Sequence, residues 1–415
     1  MSALETGSSP APSATPAINE AVAALRRAGR PIVNLGFGEA GLPVLPSVAG
    51  VLAEHAARNS YGPVAGTPEA RASLAGWFTR RGVDTDPDQI VLAPGSKPLL
   101  YALLATLPGD LVLPRPSWVS YAAQAAMVGK HVLHVPIGEQ CGGMPESGLF
   151  AKALAAARAE GRRPGVLLLT VPDNPTGTSA DRETLEVVCD VAAEHELVVI
   201  ADEIYAELYH DAPAFSPLPL LPERTIVTTG LSKSMALGGW RIGAVRFPSG
   251  KDGEEARRAV VACASELWSA LAAPMQAAAA YVWSEPDDVR ERIARSRRLH
   301  GRVAHAVYEL WLEHGASCRP PQAGFYLYPA LAPRPGIATS TELAAALLEH
   351  DIAVLPGTAF GDDDSALRVR VATSLLYGET DDQRLAALES SKPEALPWIA
   401  ESLTRIRAAL AAVAS

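Results

Sequence analysis

The sequence predicts an α/β protein: a large domain on a mostly parallel seven-stranded sheet sandwiched by helices, followed by a smaller α+β domain. Three observations predict it. Between residues 89 and 247, seven short β-rich runs alternate with helical stretches. Several of those runs are apolar throughout, which suits strands buried on both faces. From residue 285 the texture changes to one long charged helix, a Pro-Pro turn and further short strands.

The seven runs are QIVLA (89–93), DLVLP (110–114), HVLHV (131–135), GVLLLT (165–170), LVVIA (197–201), TIVTT (225–229) and IGAVRF (242–247). Between most of them lie stretches such as KPLLYALLATL and RETLEVVCDVAAEHE, whose apolar residues recur at helical spacing. Residues 285–310 carry charges along most of their length and read as one long helix. FYLYP, IAVLP and LRVRVA then supply the strands of the smaller domain. The expected division is a flexible tail at 1–17, a segment at 18–46 joining the small domain, a large domain at 47–284 and a small one at 285–415.

A chain of 415 residues is too long for one ordinary core. Its net charge of −10 repels phosphate backbones, and no basic run offsets it, so nucleic acid is not an expected partner. Cys141, Cys189, Cys263 and Cys318 are scattered, without the spacing of a disulfide frame or zinc site. The histidines show no ligand spacing, so no metal is expected. The opening MSALETGSSPAPSATP lacks a basic region and an apolar core, and so reads as a tail and not as a signal peptide. SALAAPMQAAAAYVW, the most apolar long stretch, is too short and too interrupted to span a bilayer. A soluble cytoplasmic protein is the expectation.

In parallel α/β sheets, ligands bind beyond the carboxyl ends of the strands. After QIVLA comes PGSKP, after GVLLLT comes VPDNPTG, after LVVIA comes DEIY, and after TIVTT comes GLSKS. These ends deliver Ser96, Lys97, Asn174, Asp202, Tyr205, Ser232 and Lys233 to one rim. Each alone has a plainer reading as a turn residue, helix cap or solvated charge; their assembly at successive strand ends does not.

The chemistry of the set is coherent. A shielded lysine can form a Schiff base with an aldehyde. A pyridine-ring aldehyde needs an acid such as Asp202 to keep its ring nitrogen protonated, which makes the ring an electron sink. Tyr205 and Asn174 are suitable donors for a phenolic oxygen on the ring. Gly95-Ser96-Lys97 opening a helix, with Ser232 and Arg241, would suit a phosphate. Trp118, just after DLVLP, offers a flat face for stacking or a large side chain for the core.

The motifs PGSKPLLYAL, VPDNPTGT, ADEIYAELY, LSKSMALGGWRIG, PPQAGFYLYP and LRVRVATS resemble the fold-type-I, class I/II aminotransferases that use pyridoxal 5′-phosphate. The resemblance runs from about residue 30 to the end, in the family's order. It implies that Lys233 forms the internal aldimine and shuttles a proton, with a pyridoxamine form as intermediate. It further implies that Asp202 pairs with the ring nitrogen, that Tyr205 and Asn174 bind the phenolate and that Trp118 stacks on the ring. Ser96, the Lys97 backbone, Ser232 and Arg241 would hold the phosphate. Tyr61 matches a tyrosine that reaches the neighbouring subunit's phosphate, so a homodimer with shared active sites is implied. Arg368, counted back from Ala372-Thr373-Ser374, matches the arginine that grips the substrate α-carboxylate, with the Gly38 backbone nearby.

The implied reaction moves an amino group from an L-α-amino acid to a 2-oxo acid. A β-lyase, decarboxylase or oxidase would share the early steps on the same scaffold, and a non-catalytic effector-binding domain would share the fold. Two departures bear on substrate choice. Arg370 stands where the family often has a small polar residue, and GEAGLP (38–43) replaces a common Gly-Glu-Pro-Asp-Phe. Lys130, Arg115 and Arg370 are candidates for a second substrate carboxylate. GFGEAG (36–41) also matches a dinucleotide fingerprint, but Pro43 and Pro46 follow where that loop must open a helix.

Overall fold

In chain order the strands are β1 (Val33–Asn34), β2 (Ile90–Ala93), β3 (Asp110–Arg115), β4 (Val132–Pro136), β5 (Pro164–Thr170), β6 (Val198–Asp202), β7 (Thr225–Gly230), β8 (Gly243–Arg246), β9 (Tyr326–Leu327), β10 (Ile352–Ala353), β11 (Leu355–Pro356) and β12 (Val369–Ala372). The computed structural model describes residues 13–138 and 142–414. Strands β2 to β8 form one sheet in the order β2-β8-β7-β6-β5-β3-β4. All neighbours run parallel except β8, which is antiparallel to both β2 and β7. The seven apolar runs of the sequence are the seven strands of this sheet, within a residue or two.

Alternate residues of each strand enter different cores, as the period of two requires. Ile90, Leu92, Ala201, Val227 and Ala244 face the helices Pro68–Thr79 and Ala273–Trp283. Val91, Ala93, Ile200, Ile226 and Val245 face the other side, against the helices Ser96–Thr106 and Lys251–Leu267. Each such fully buried valine, leucine or isoleucine contributes about 1.5–3 kcal/mol, and the alanines less.

The smaller core gathers Val33 and Leu35 with Leu327, Leu343, Ile352, Val369 and Val371. Here β1 pairs in parallel with β10, placing Val33 opposite Ile352. Strands β11, β12 and β9 form a separate antiparallel sheet. The loop from Gly36 to Leu45 therefore leaves the same core that carries β12. No helix starts in it before Pro46, so GFGEAG is a loop.

The long helix Asp287–Glu313 opens with Asp287 and Asp288 in its first turn, where carboxylates oppose the helix dipole. Its Val289 and Ile293 belong to a core of the large sheet, whereas Leu299, Val303, Val307 and Trp311 belong to the smaller core. The change of texture at 285 thus marks an element shared between both cores.

Of the tail expected at 1–17, residues 1–12 lie outside the described residues, and residues 14–17 begin the helix Ala14–Arg27. That helix packs Ile18, Val22 and Leu25 near Ile32 and Ala353, so the tail ends earlier than its composition suggested. Cys189, Cys263 and Cys318 are free thiols; Cys141 lies outside the described residues. Among the described residues no helix is long and apolar enough to cross a membrane.

Candidate active site

The carboxyl ends of β2, β5, β6 and β7 open onto a cavity of about 410 Å³. Lys233 reaches it from the one-turn helix Leu231–Ser234 directly after β7. Its Nζ donates to the Gly38 carbonyl oxygen, which ties the loop of the smaller core to the large sheet. Gly38 has no room for a Cβ, because the Tyr326 hydroxyl already fills that space.

Asp202, the last residue of β6, is 3 % exposed. Its Oδ1 accepts from Thr228 Oγ1 at 3.0 Å and its Oδ2 from the Tyr121 hydroxyl at 2.9 Å. Burial pushes its carboxyl up to about 6, against the pull of those two hydrogen bonds and of Lys233.

Asn174 follows β5 and uses both ends of its amide. Nδ2 donates to the Tyr205 hydroxyl at 3.3 Å, and Oδ1 accepts from Arg370 Nη1 at 3.4 Å. The Tyr205 hydroxyl lies 3.0 Å from that of Tyr326, whose oxygen is 3.5 Å from the Gly38 carbonyl. Burial, then Tyr326, raise the Tyr205 pKa well above its usual value.

The phosphate candidates meet at the start of the helix Ser96–Thr106, whose first N–H groups have no intrahelical partner. Gly95, just before it, has φ +96°, and a Cβ there would strike the Arg241 guanidinium. Arg241 Nη1 donates to the Gly238 carbonyl at 2.9 Å and lies 3.5 Å from Ser232 Oγ. Gly95→Ala is expected to weaken cofactor affinity by about tenfold or more, because a left-handed φ and a displaced guanidinium both disfavour it. Reconstitution of the apoenzyme, followed by tryptophan fluorescence, measures that loss.

Trp118 lines the same cavity, edge-on to Tyr121 with ring centroids 5.1 Å apart. The Lys97 ammonium sits 5.0 Å over the Trp118 ring. Burial, followed by the charges of Arg241 and Lys233, lowers the Lys97 pKa.

Two residues named from the sequence are not in the cavity. Arg368 turns to Asp362, with Nη1 to Oδ2 at 3.0 Å, and lines a separate cavity with Tyr328 and Arg319. The arginine that enters the site is Arg370, 1 % exposed between the faces of Tyr326 and Phe360. Its Nη2 donates to the Gly36 carbonyl at 2.7 Å, while its Nε is buried without a hydrogen-bond partner. The two side chains leave one strand face about 7 Å apart, and the cavity lies at the level of the second. Tyr61 is 93 % exposed and touches nothing in this cavity. Of the other cationic candidates, Lys130 Nζ donates to the Leu107 and Gly109 carbonyls and Arg115 is exposed; neither lines it.

Tyr121, Thr170 and Tyr326 line the cavity and were missed in the sequence. So were Ser13, Thr15 and Pro16 at the start of the first helix. The residues present fit pyridoxal phosphate on structural grounds: a buried carboxylate, a lysine, a helix start beside an arginine that excludes any Cβ at Gly95, and an orphaned guanidinium N–H at Arg370.

The sequence profile of the aminotransferase class I and II family matches residues 30–375. The chain belongs to the class I and II aminotransferases. It is 31 % identical to the aspartate aminotransferase of Geobacillus stearothermophilus, over 90 % of this chain and 95 % of that one. It is also 31 % identical to the aspartate/prephenate aminotransferase of Thermus thermophilus, over 84 % of this chain and 89 % of that one. The solved structure of Thermus thermophilus aspartate aminotransferase with maleate superposes with TM-score 0.80 at 28 % identity, covering 91 % of this chain and 95 % of that one. This aminotransferase is accordingly a pyridoxal-phosphate enzyme that moves amino groups between amino acids and oxo acids, and the lyase, decarboxylase and oxidase alternatives are not favoured.

Proposed function

We propose that this aminotransferase uses Lys233 as its covalent anchor and proton shuttle, Arg370 as its α-carboxylate clamp, and an acidic L-amino acid as its donor. The observation that carries the reading is Asn174, which hydrogen-bonds Arg370 on one side and Tyr205 on the other beside Lys233. Substrate carboxylate, ring oxygen and reactive amine thereby share one organising side chain.

Bound pyridoxal phosphate supplies the electron sink that stabilises a carbanion at the substrate Cα. Around it, Lys233 Nζ tethers the cofactor and carries the proton to and from that Cα. Asp202 holds the ring-nitrogen proton, and Tyr205 with Asn174 binds the phenolic oxygen. Ser96, the Lys97 backbone N–H, Ser232 and Arg241 hold the phosphate, and Trp118 stacks on the ring. The Gly36 and Gly38 carbonyls orient Arg370 and Lys233 respectively. Thr15, Pro16 and Phe37 line the same cavity. The unit from 47 to 284 holds the cofactor. The unit from 285 onward, with 18–46, brings the carboxylate clamp.

An acidic donor is supported by Lys97, whose ammonium lines the cavity alongside Lys233, Arg241 and Arg370 and is the one of the four with no other role here, and by a neighbour crystallised with maleate, a dicarboxylate. Lys97→Ala is expected to lower kcat/KM for L-aspartate by about 10- to 100-fold, the range for losing one partner of a charge-assisted hydrogen bond. The same variant should change kcat/KM for a monocarboxylic donor such as L-alanine by less than about threefold. Equal losses for both donors would remove Lys97 from side-chain recognition.

The enzyme works as a homodimer in the cytoplasm on this reading. Tyr61 is exposed on the chain alone, which suits a side chain that completes the neighbouring subunit's phosphate site.

A further inference from the structure

Tyr121 lies on the helix Val119–Met127, and its ring is 1 % exposed in the core between the sheet and the helix Ser96–Thr106. Its hydroxyl is 2.9 Å from Asp202 Oδ2 and 2.8 Å from Thr170 Oγ1. A phenol has one proton to give, and an ionised carboxylate can only accept. The proton therefore points at Asp202, and the Thr170 hydroxyl donates in turn to the Tyr121 oxygen. From the far side Thr228 donates to Oδ1 at 3.0 Å. Three hydroxyls thus form a one-way arrangement that ends on Asp202 and is complete only when that carboxyl is ionised.

We propose that Tyr121, oriented by Thr170, is a positioning residue that keeps Asp202 ionised and fixes the plane of its carboxylate toward the cofactor's ring nitrogen. The inference rests on the assignment of Asp202 to that nitrogen. A buried carboxyl tends to hold its proton, and burial is the largest influence on Asp202, pushing it up to about 6. The Tyr121 hydrogen bond is the foremost opposing influence, ahead of Thr228 and the Ile204 backbone N–H, with the Lys233 charge the weakest of the four. Glu203, next in the chain, is itself buried and pushed up to about 7. The neighbouring Tyr205 keeps its proton for the same reason of burial. Burial and the Asp202 charge also raise Tyr121, with a smaller push from Asp173, so its own proton stays on oxygen.

Phenylalanine fills the same volume, so Tyr121→Phe removes the hydroxyl alone. Without that donor the Asp202 pKa rises, and the acid limb of activity moves toward neutral pH. In the holoenzyme at saturating amino acid, the acid limb of kcat is expected to shift up by about one pH unit, so that kcat falls about twofold at pH 7 and close to tenfold at pH 5, with KM within about twofold. A second readout needs no turnover. The pyridoxal phosphate dissociation constant of the apoenzyme, titrated from pH 5.5 to 9, should weaken about eightfold at pH 5.5 and about twofold at pH 7, and rejoin the wild type at the alkaline end. Thr170→Val should shift both profiles in the same direction by less, and Thr170→Ser should restore them.

A Tyr121→Phe enzyme whose profiles superimpose on the wild type overturns the proposal. So does one that loses activity and affinity equally at every pH, since that is merely a packing effect. Asp202→Asn separates the two layers. If that variant binds cofactor and turns over normally, the assignment of Asp202 fails; if it is inactive while Tyr121→Phe is unaltered, only the role of Tyr121 fails.

Discussion

Replacing Lys233 with alanine is expected to abolish turnover, by at least about 10⁴-fold, in a protein that still folds. Proton shuttling alone is worth 10²–10⁴-fold, and the covalent tether is lost with it. The fold should survive because Lys233 sits partly exposed on a one-turn helix and makes its contact to the Gly38 carbonyl at the cavity, outside either core. Oxo-acid formation from L-aspartate measures the first expectation and a thermal melt the second. A variant that melts like the wild type and keeps full turnover would refute the mechanism.

The second large effect separates two arginines that strand periodicity could not. Arg370→Lys should lower kcat/KM by about 10²–10³-fold, mostly through KM, because a single ammonium cannot reproduce a planar two-point grip on a carboxylate. Arg368→Lys should stay within about twofold, since that side chain lies outside the cavity and a lysine there keeps a cation for the buried Asp362 carboxylate. Steady-state kinetics on both variants with one donor decides it. A large loss for Arg368→Lys with none for Arg370→Lys would return the clamp to the position favoured by the count from Ala372-Thr373-Ser374.

That count lands on an arginine outside the cavity for a physical reason. A strand repeats every two residues, so residues 368 and 370 share a face by necessity. What distinguishes them is the depth of the cavity along the strand, which depends on β12 packing against β9 and on the loop around Gly36. Strand-end residues were legible for the opposite reason. Buried parallel strands announce themselves as apolar runs, and polar side chains at or within a few residues of their carboxyl ends are placed at the ligand rim. Lys233, Asp202 and Asn174 follow from that geometry. Tyr121 does not, since it lies one helical turn beyond Trp118 in a stretch that reads as ordinary core. Ser13, Thr15 and Pro16 were hidden by composition, because small polar residues and prolines look like tail until the apolar face of Ile18, Val22 and Leu25 is seen to dock.

The helix Asp287–Glu313 has its first turns embedded in one core and its last turns in another. It is a beam clamped at both ends. Leu231, two residues before Lys233, packs in the first of these cores with Val289, and Val369 and Val371, on either side of Arg370, pack in the second with Val303, so a change in the spacing of the two cores loads the beam in bending. A 27-residue helix takes up such load as a gentle curve shared over many turns, without a local break. The helix is therefore one of the elements that set the spacing of Lys233 and Arg370, alongside the Lys233–Gly38 and Arg370–Asn174 hydrogen bonds, and a proline introduced near its middle is expected to change the fit of substrates that never touch it.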